Sequence, residues 1–167
     1  SEKSKQFWFA STPSIDKEIT SRYETVWEKA ASGGLSSWGE TADGSVALII
    51  ILDQFPLNMF RGKAKGFKTE SMAVEVALNA IDNGFDEEMD NEKLLFLFMP
   101  LMHSENLDHQ NLQVYLFEKY NFNLEFSKHH RDLVKKFGRF PHRNEILGRM
   151  STMEELDYLL SDNAFRG

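Results

Sequence analysis

An apolar run without any period, Val46-Ala-Leu-Ile-Ile-Ile-Leu52, decides between the fold classes open to this chain. Its β-branched residues would suit a strand. A lone strand leaves its backbone N–H and C=O groups unpaired, however, and no second strand candidate lies near it in the sequence. The run therefore reads as a fully buried central helix, ended by Phe55-Pro56.

Helical periodicity recurs on both sides of that run. After Thr12-Pro13, residues Ile15, Ile19, Tyr23, Val26 and Trp27 fall on one face, and Gly33-Gly34 supplies the stop. Thr69 is positioned to N-cap a helix over 70–83, with Met72, Val76 and Ala80 on one face and Gly84 at the end. A further helix over 86–102 carries Leu94, Leu97, Phe98 and Leu101 and is interrupted by Pro100. Leu107, Val114, Leu116 and Phe117 mark the next helix. Leu124–Phe137 follows, with Phe126, His130, Leu133, Val134 and Phe137 facing inward and His129 outward. Two overlapping capping boxes, Ser151–Glu154 and Thr152–Glu155, start a last helix that ends near Leu160. The expectation is an all-α single domain over 1–167 with about seven helices.

The 14 Phe and 3 Trp are spread along all 167 residues, enough for one well-formed core. There is no cysteine, which excludes disulfides, thiolate metal sites and a Cys nucleophile, and which fits a reducing, cytoplasmic compartment. No charged-then-apolar leader precedes Phe7, so a secretory signal is not expected. The longest apolar runs fall well short of the roughly 20 residues that a membrane span needs, so no membrane partner is expected.

The net charge of −7 argues against general nucleic-acid binding. The charge is uneven. From Ser127 to Arg149, seven Lys/Arg face only Asp132 and Glu145, a net of +5 on an acidic body. Such a basic pole suits one anionic small molecule or an acidic peptide.

Three motifs carry candidate chemistry. Asp53-Gln54-Phe55-Pro56 either caps the buried helix or delivers a polar pair to a cleft wall. In His103-Ser104-Glu105, Ser104 can N-cap the next helix with Glu105 in its first turn, which leaves His103 as a corner histidine or a base. In Phe137-Gly-Arg-Phe-Pro-His-Arg-Asn144 with Gly148-Arg149, Gly138, Pro141 and Gly148 read as helix punctuation. Arg139, His142, Arg143 and Arg149 remain. Capping accounts for one such arginine more readily than for three, and arginine forks suit bidentate capture of carboxylate or phosphate. The histidines include no i, i+4 pair with a Glu, so no metal site is expected, and no motif names a cofactor.

Phe7-Trp8-Phe9, Leu52–Pro56 with Asn58 and Phe60-Arg61-Gly62, Pro100–Glu105, Gln110, and Phe137–Asn144 with Gly148-Arg149 occur in one order. In this the chain resembles the bacterial family of unknown function called DUF924, along almost its whole length. The resemblance implies a tetratricopeptide-like helical superhelix and no established reaction. It also marks Asp53, Gln54, Asn58, Arg61, His103, Ser104, Glu105, Gln110, Arg139, His142, Arg143, Asn144 and Arg149 as the family's polar positions. The chain departs from the pattern at Leu57, where the family carries an arginine, and is shorter between Phe9 and Ile15.

These readings give three functional expectations. One is a polar groove for an anionic small molecule or peptide carboxylate, lined by Asp53, Gln54, Asn58, Arg61, His103, Glu105, Arg139, His142, Arg143, Asn144 and Arg149. Another is an enzyme, with His103 or His142 as general base, Glu105 or Asp53 orienting it, and an arginine clamp. The third is a protein-interaction scaffold with an exposed apolar groove.

Overall fold

A strand at Val46–Leu52 would have needed a partner, and among the described residues of the computed structural model, 12–166, there is no strand. The run is helical, and Val46, Leu48, Ile49, Ile51 and Leu52 are all buried. The chain divides into two compact units, Ser1–Pro100 and Leu101–Gly167. The Phe7-Trp8-Phe9 motif lies outside the described residues.

In the first unit, α1 (Pro13–Ala31) starts where Thr12 Oγ1 accepts from the Ile15 N–H. After a 3₁₀ turn (Ser36–Glu40), α2 (Ala42–Ile49) is capped by Thr41, and runs without a break into a π-helical turn (Ile50–Gln54) and α3 (Phe55–Met59). Next come α4 (Glu70–Asp82) and α5 (Asn91–His103), whose last residues pass into the second unit. Counting the α2–π–α3 run once, the described residues hold seven helices.

Two prolines behave differently from the sequence expectation. Pro56 does not end the buried helix. Pro56 lacks the N–H that an α-helix would direct at the Leu52 carbonyl. The π turn shifts the register there, so that Phe55 N–H bonds the Ile50 carbonyl, and the Thr69 hydroxyl donates to Leu52 O at 2.6 Å. Thr69 is consequently not a side-chain N-cap for α4. It also accepts from Trp27 Nε1 at 3.1 Å and so joins three helices inside the core of Ile19, Trp27, Leu48, Leu52, Phe55 and Phe60. Pro100 likewise lies inside α5, which begins at Asn91 rather than at 86. Burial of Leu97, Phe98 and Leu101 around it outweighs the lost hydrogen bond.

In the second unit, α6 (Leu107–Lys119) packs against α7 (Leu124–Phe137), and the Ser127 hydroxyl donates to Gln113 Oε1 between them at 2.6 Å. The N-cap of α6 is Asn106, not Ser104: its Oδ1 accepts from Asp108 N–H and His109 N–H. α7 buries His130, Leu133 and Val134 as its periodicity predicts, whereas Phe126 is 55% exposed. Gly138 ends it at a φ of 70°. A 3₁₀ turn (Pro141–Arg143) leads to α8 (Met153–Leu160), started by the Thr152/Glu155 capping box. No helix among the described residues is long and apolar enough to cross a membrane.

Candidate functional site

The family's polar positions fall into two groups, one in each unit, and a cavity makes a third feature. In the first unit, Asn58 Nδ2 and the Arg61 guanidinium converge on Asp16, at 2.9 Å for the amide and 2.7 and 3.1 Å for the arginine. Asp16 raises the pKa of Arg61 through the hydrogen bond and its charge. The sequence reading missed Asp16. Its position in the first turn of α1 marks it only as a dipole-favoured acid. Asp53, buried, is hydrogen-bonded by the amide of its neighbour Gln54.

The second group lies wholly in the second unit and is built around two carboxylates. Glu105 does not sit in the first turn of α6. It precedes the helix, accepts the Phe140 backbone N–H at 2.7 Å, and holds Arg149 in a two-pronged contact of 2.5 and 2.9 Å. Arg149 donates on to Phe140 O and Asn144 Oδ1. Asn144, 1% exposed, donates to Ser151 Oγ and to Glu155 Oε2. Glu155 in turn takes the Arg139 fork at 2.6 and 2.8 Å, while also receiving the Thr152 N–H. Arg139 reaches the Met150 carbonyl as well.

Burial pushes the Glu105 carboxyl up, but the bonds from Arg149 and the Phe140 N–H outweigh it and hold Glu105 below the usual carboxylate range. The Arg139 fork brings Glu155 down to about 2. Both acids are therefore ionised at neutral pH and matched by arginines. The net +5 of Ser127–Arg149 is a property of the linear sequence; Glu105, Glu154 and Glu155 offset three of those charges in space, through Arg149, Lys136 and Arg139.

The remaining members of this group have other settings. Gln110, fully buried, donates through Nε2 to the carbonyls of Met102 and Ser104 at 2.6 and 2.8 Å, which answers the orphan acceptors at the end of α5. Ser104 Oγ lies 2.9 Å from His109 Nδ1. His103 is the last residue of α5. Arg143 is buried, with its guanidinium 4.7 Å over the Phe140 ring. Burial lowers the His142 pKa to about 4, so its ring is neutral at pH 7, and its Nδ1 is a buried atom with no hydrogen bond. His142 lines a recess of about 360 Å³ together with Pro141, Ser151, Leu156 and Arg166. Among the described residues no three His, Asp or Glu side chains gather as metal ligands would.

The third feature went unmarked in the sequence. The first unit contains a cavity of about 530 Å³. Leu48 and Leu52 of the buried run form its floor with Ala30, and α4 forms one wall with Met72, Glu75, Val76 and Asn79. Glu40 and Asn83 also line it and, like Glu75, are exposed, which puts all three at its solvent side. The available signal was the i, i+3, i+4, i+7 spacing on α4, a face that mixes apolar and polar residues rather than being purely one or the other.

A family model described as bacterial protein of unknown function (DUF924) matches residues 1–163. A solved structure, that of the protein of unknown function ATU0120 from Agrobacterium tumefaciens, shares 37% identity over 92% of this chain and 88% of that one, with a TM-score of 0.87. No curated protein matches the chain.

Proposed function

This chain belongs to the DUF924 family of bacterial proteins of unknown function, and we propose that it is a binding domain that holds a small molecule in the cavity of its first unit. The observation that carries this reading is the cavity itself: about 530 Å³, with an apolar floor at Leu48 and Leu52 and polar groups confined to wall and rim. Pockets of a few hundred Å³ with that division of labour are the usual form of small-molecule sites. The arginine-rich segment, which would be the natural rival, has the Arg139 and Arg149 forks engaged with Glu155 and Glu105. Its role in this reading is to fasten the second unit together. A general acid–base role draws little support, since the Glu105 carboxylate that would orient a base is taken up by Arg149 and the Phe140 N–H. The lack of cysteine agrees with the cytoplasm as the place of action.

Titration of the full chain with 1-octanol, followed by methyl NMR, tests the site. Saturable shifts are expected at Leu48, Leu52, Met72 and Val76. They should be lost in Gly39→Leu, because a Cβ at Gly39, which lines the cavity, meets nothing within 4 Å. Val76→Phe is a second filling variant. Shifts that are absent, or that survive both fillings, overturn the proposal.

A second reading keeps an anionic small molecule or acidic peptide as partner, at the recess beside His142. The observation in its favour is the buried His142 Nδ1 without a hydrogen bond, in a recess that Arg166 also lines. Glu145 shares the lining and opposes a multiply charged anion, so a single carboxylate fits best. Acetate should shift the His142 ring resonances in the full chain and have no effect there in Arg166→Gln; no shift at all disposes of this reading.

A further inference from the structure

We infer that the ligand of the first-unit cavity is an organic cation: a primary amine or alkylammonium on an apolar body. The inference rests on the reading of that cavity as a binding site and adds the ligand's chemical class. Two carboxylates, Glu40 and Glu75, line the cavity, and no Lys, Arg or His does. Several acids elsewhere in the molecule are matched: Asp16 by Arg61, Asp43 by Lys93, Glu105 by Arg149, Glu155 by Arg139. The Glu40 and Glu75 side chains enter no hydrogen bond or ion pair among the described residues, so both carboxylates stand open to a ligand.

Among the neutral polar groups Ser36 and Asn79 carry donors as well as acceptors, and Asn83 presents an acceptor. Asn83 donates through Nδ2 to the Asn79 carbonyl at 2.7 Å and to Asn79 Oδ1 at 3.3 Å. Its donor is thereby engaged, and its Oδ1 remains an acceptor at the rim. An ammonium group brings three donors and no acceptor, which matches the Glu40 and Glu75 carboxylates and the Asn83 oxygen at the mouth. A carboxylate or phosphate would meet acceptors of its own sign. Beneath that mouth, Leu48, Leu52, Met72 and Val76 offer an apolar surface to a hydrocarbon chain.

The test compares three probes of equal chain length, octylammonium, 1-octanol and octanoate, below their micellar concentrations and at low salt. Binding to the full chain is read from the methyl signals of Leu48 and Leu52. Octylammonium should bind roughly fivefold to tenfold more tightly than octanol, the scale of two exposed charge contacts, with octanoate the weakest. The preference should shrink as salt is raised, since both acids are exposed. Glu40→Gln with Glu75→Gln should bring octylammonium to the level of octanol and leave octanol unchanged; each single variant should fall between. If octanol and octanoate bind as tightly as octylammonium, the cationic class is wrong and the cavity stands. If the preference survives the double variant, the assignment to Glu40 and Glu75 is overturned. If none of the three shifts Leu48 or Leu52, the cavity reading fails, and this inference with it.

Discussion

Arg149 grips Glu105 with both ends of its guanidinium, at 2.5 and 2.9 Å, while Glu105 holds the Phe140 backbone N–H at 2.7 Å. One carboxylate thus fastens the loop before α6 to the turn that follows α7. Both side chains are about three-quarters buried. Glu105→Ala strands the Phe140 N–H and leaves Arg149 without its counter-charge. We expect a loss of roughly 2–3 kcal/mol, between the values for a single buried donor and for a broken buried pair. Arg149→Lys should retain part of it, because an ammonium makes one of the two contacts. Urea denaturation of the three proteins checks this, and octanol binding at Leu48 and Leu52 should be the same in all of them.

Thr69 stands between Trp27 Nε1 and the Leu52 carbonyl, accepting from one and donating to the other. Thr69→Val conserves shape and removes the hydroxyl, so one buried donor and one buried acceptor lose their partner. The expected cost is about 2 kcal/mol, visible as a lower urea midpoint. A change in Trp27 fluorescence should accompany it. Thr69→Ser keeps the oxygen and should recover most of the loss; a Val variant as stable as the native chain would show that the hydroxyl does not matter.

What was legible in the sequence, and what was not, follows the distance between interacting residues. Thr12, Gly84, Gly138 and the Thr152/Glu155 box act within one helical turn of themselves, and each lies where its local chemistry directs. The buried run at Val46–Leu52 was readable because only one backbone arrangement lets it satisfy itself. Thr69 was misread because its partner, Leu52, is 17 residues away and needs a donor only since Pro56 lacks one. Arg149 and Arg139 looked like free anion-binding forks because Glu105 lies 44 residues from one and Glu155 lies 16 from the other. The cavity was invisible for a related reason: three segments frame it, and no one of them is unusual alone.

Gly138 and Gly39 give a paired test of backbone against space. A Cβ at either meets nothing within 4 Å, but only Gly138 has the left-handed φ of 70°. Gly138→Ala should therefore cost about 1 kcal/mol in backbone strain alone. Gly39→Ala should be neutral or slightly stabilising, through the unfolded chain. Equal effects in thermal denaturation would contradict this account.

The histidines set how stability depends on pH. His130 is 4% exposed, its ring lies among Phe126, Phe140 and Phe165, and its Nδ1 is 2.9 Å from the Phe126 carbonyl. Burial lowers its pKa from 6.5 to about 4. Between those values the unfolded chain takes up a proton that the folded chain refuses, so stability rises with pH across the window and falls on acidification from 6.5 towards 4. The depression corresponds to about 3 kcal/mol for His130, with a further contribution of the same sign from His142. Glu155 acts in a lower window. Its folded pKa of about 2 lies below its ordinary 4.5, so its contribution is complete above 4.5 and is lost as pH falls through 2. Urea denaturation at pH 7, 6, 5 and 4.5 should thus show a decline that precedes carboxylate titration. His130→Phe should flatten that decline while keeping an aromatic ring in place, and an unchanged slope would remove His130 as its source.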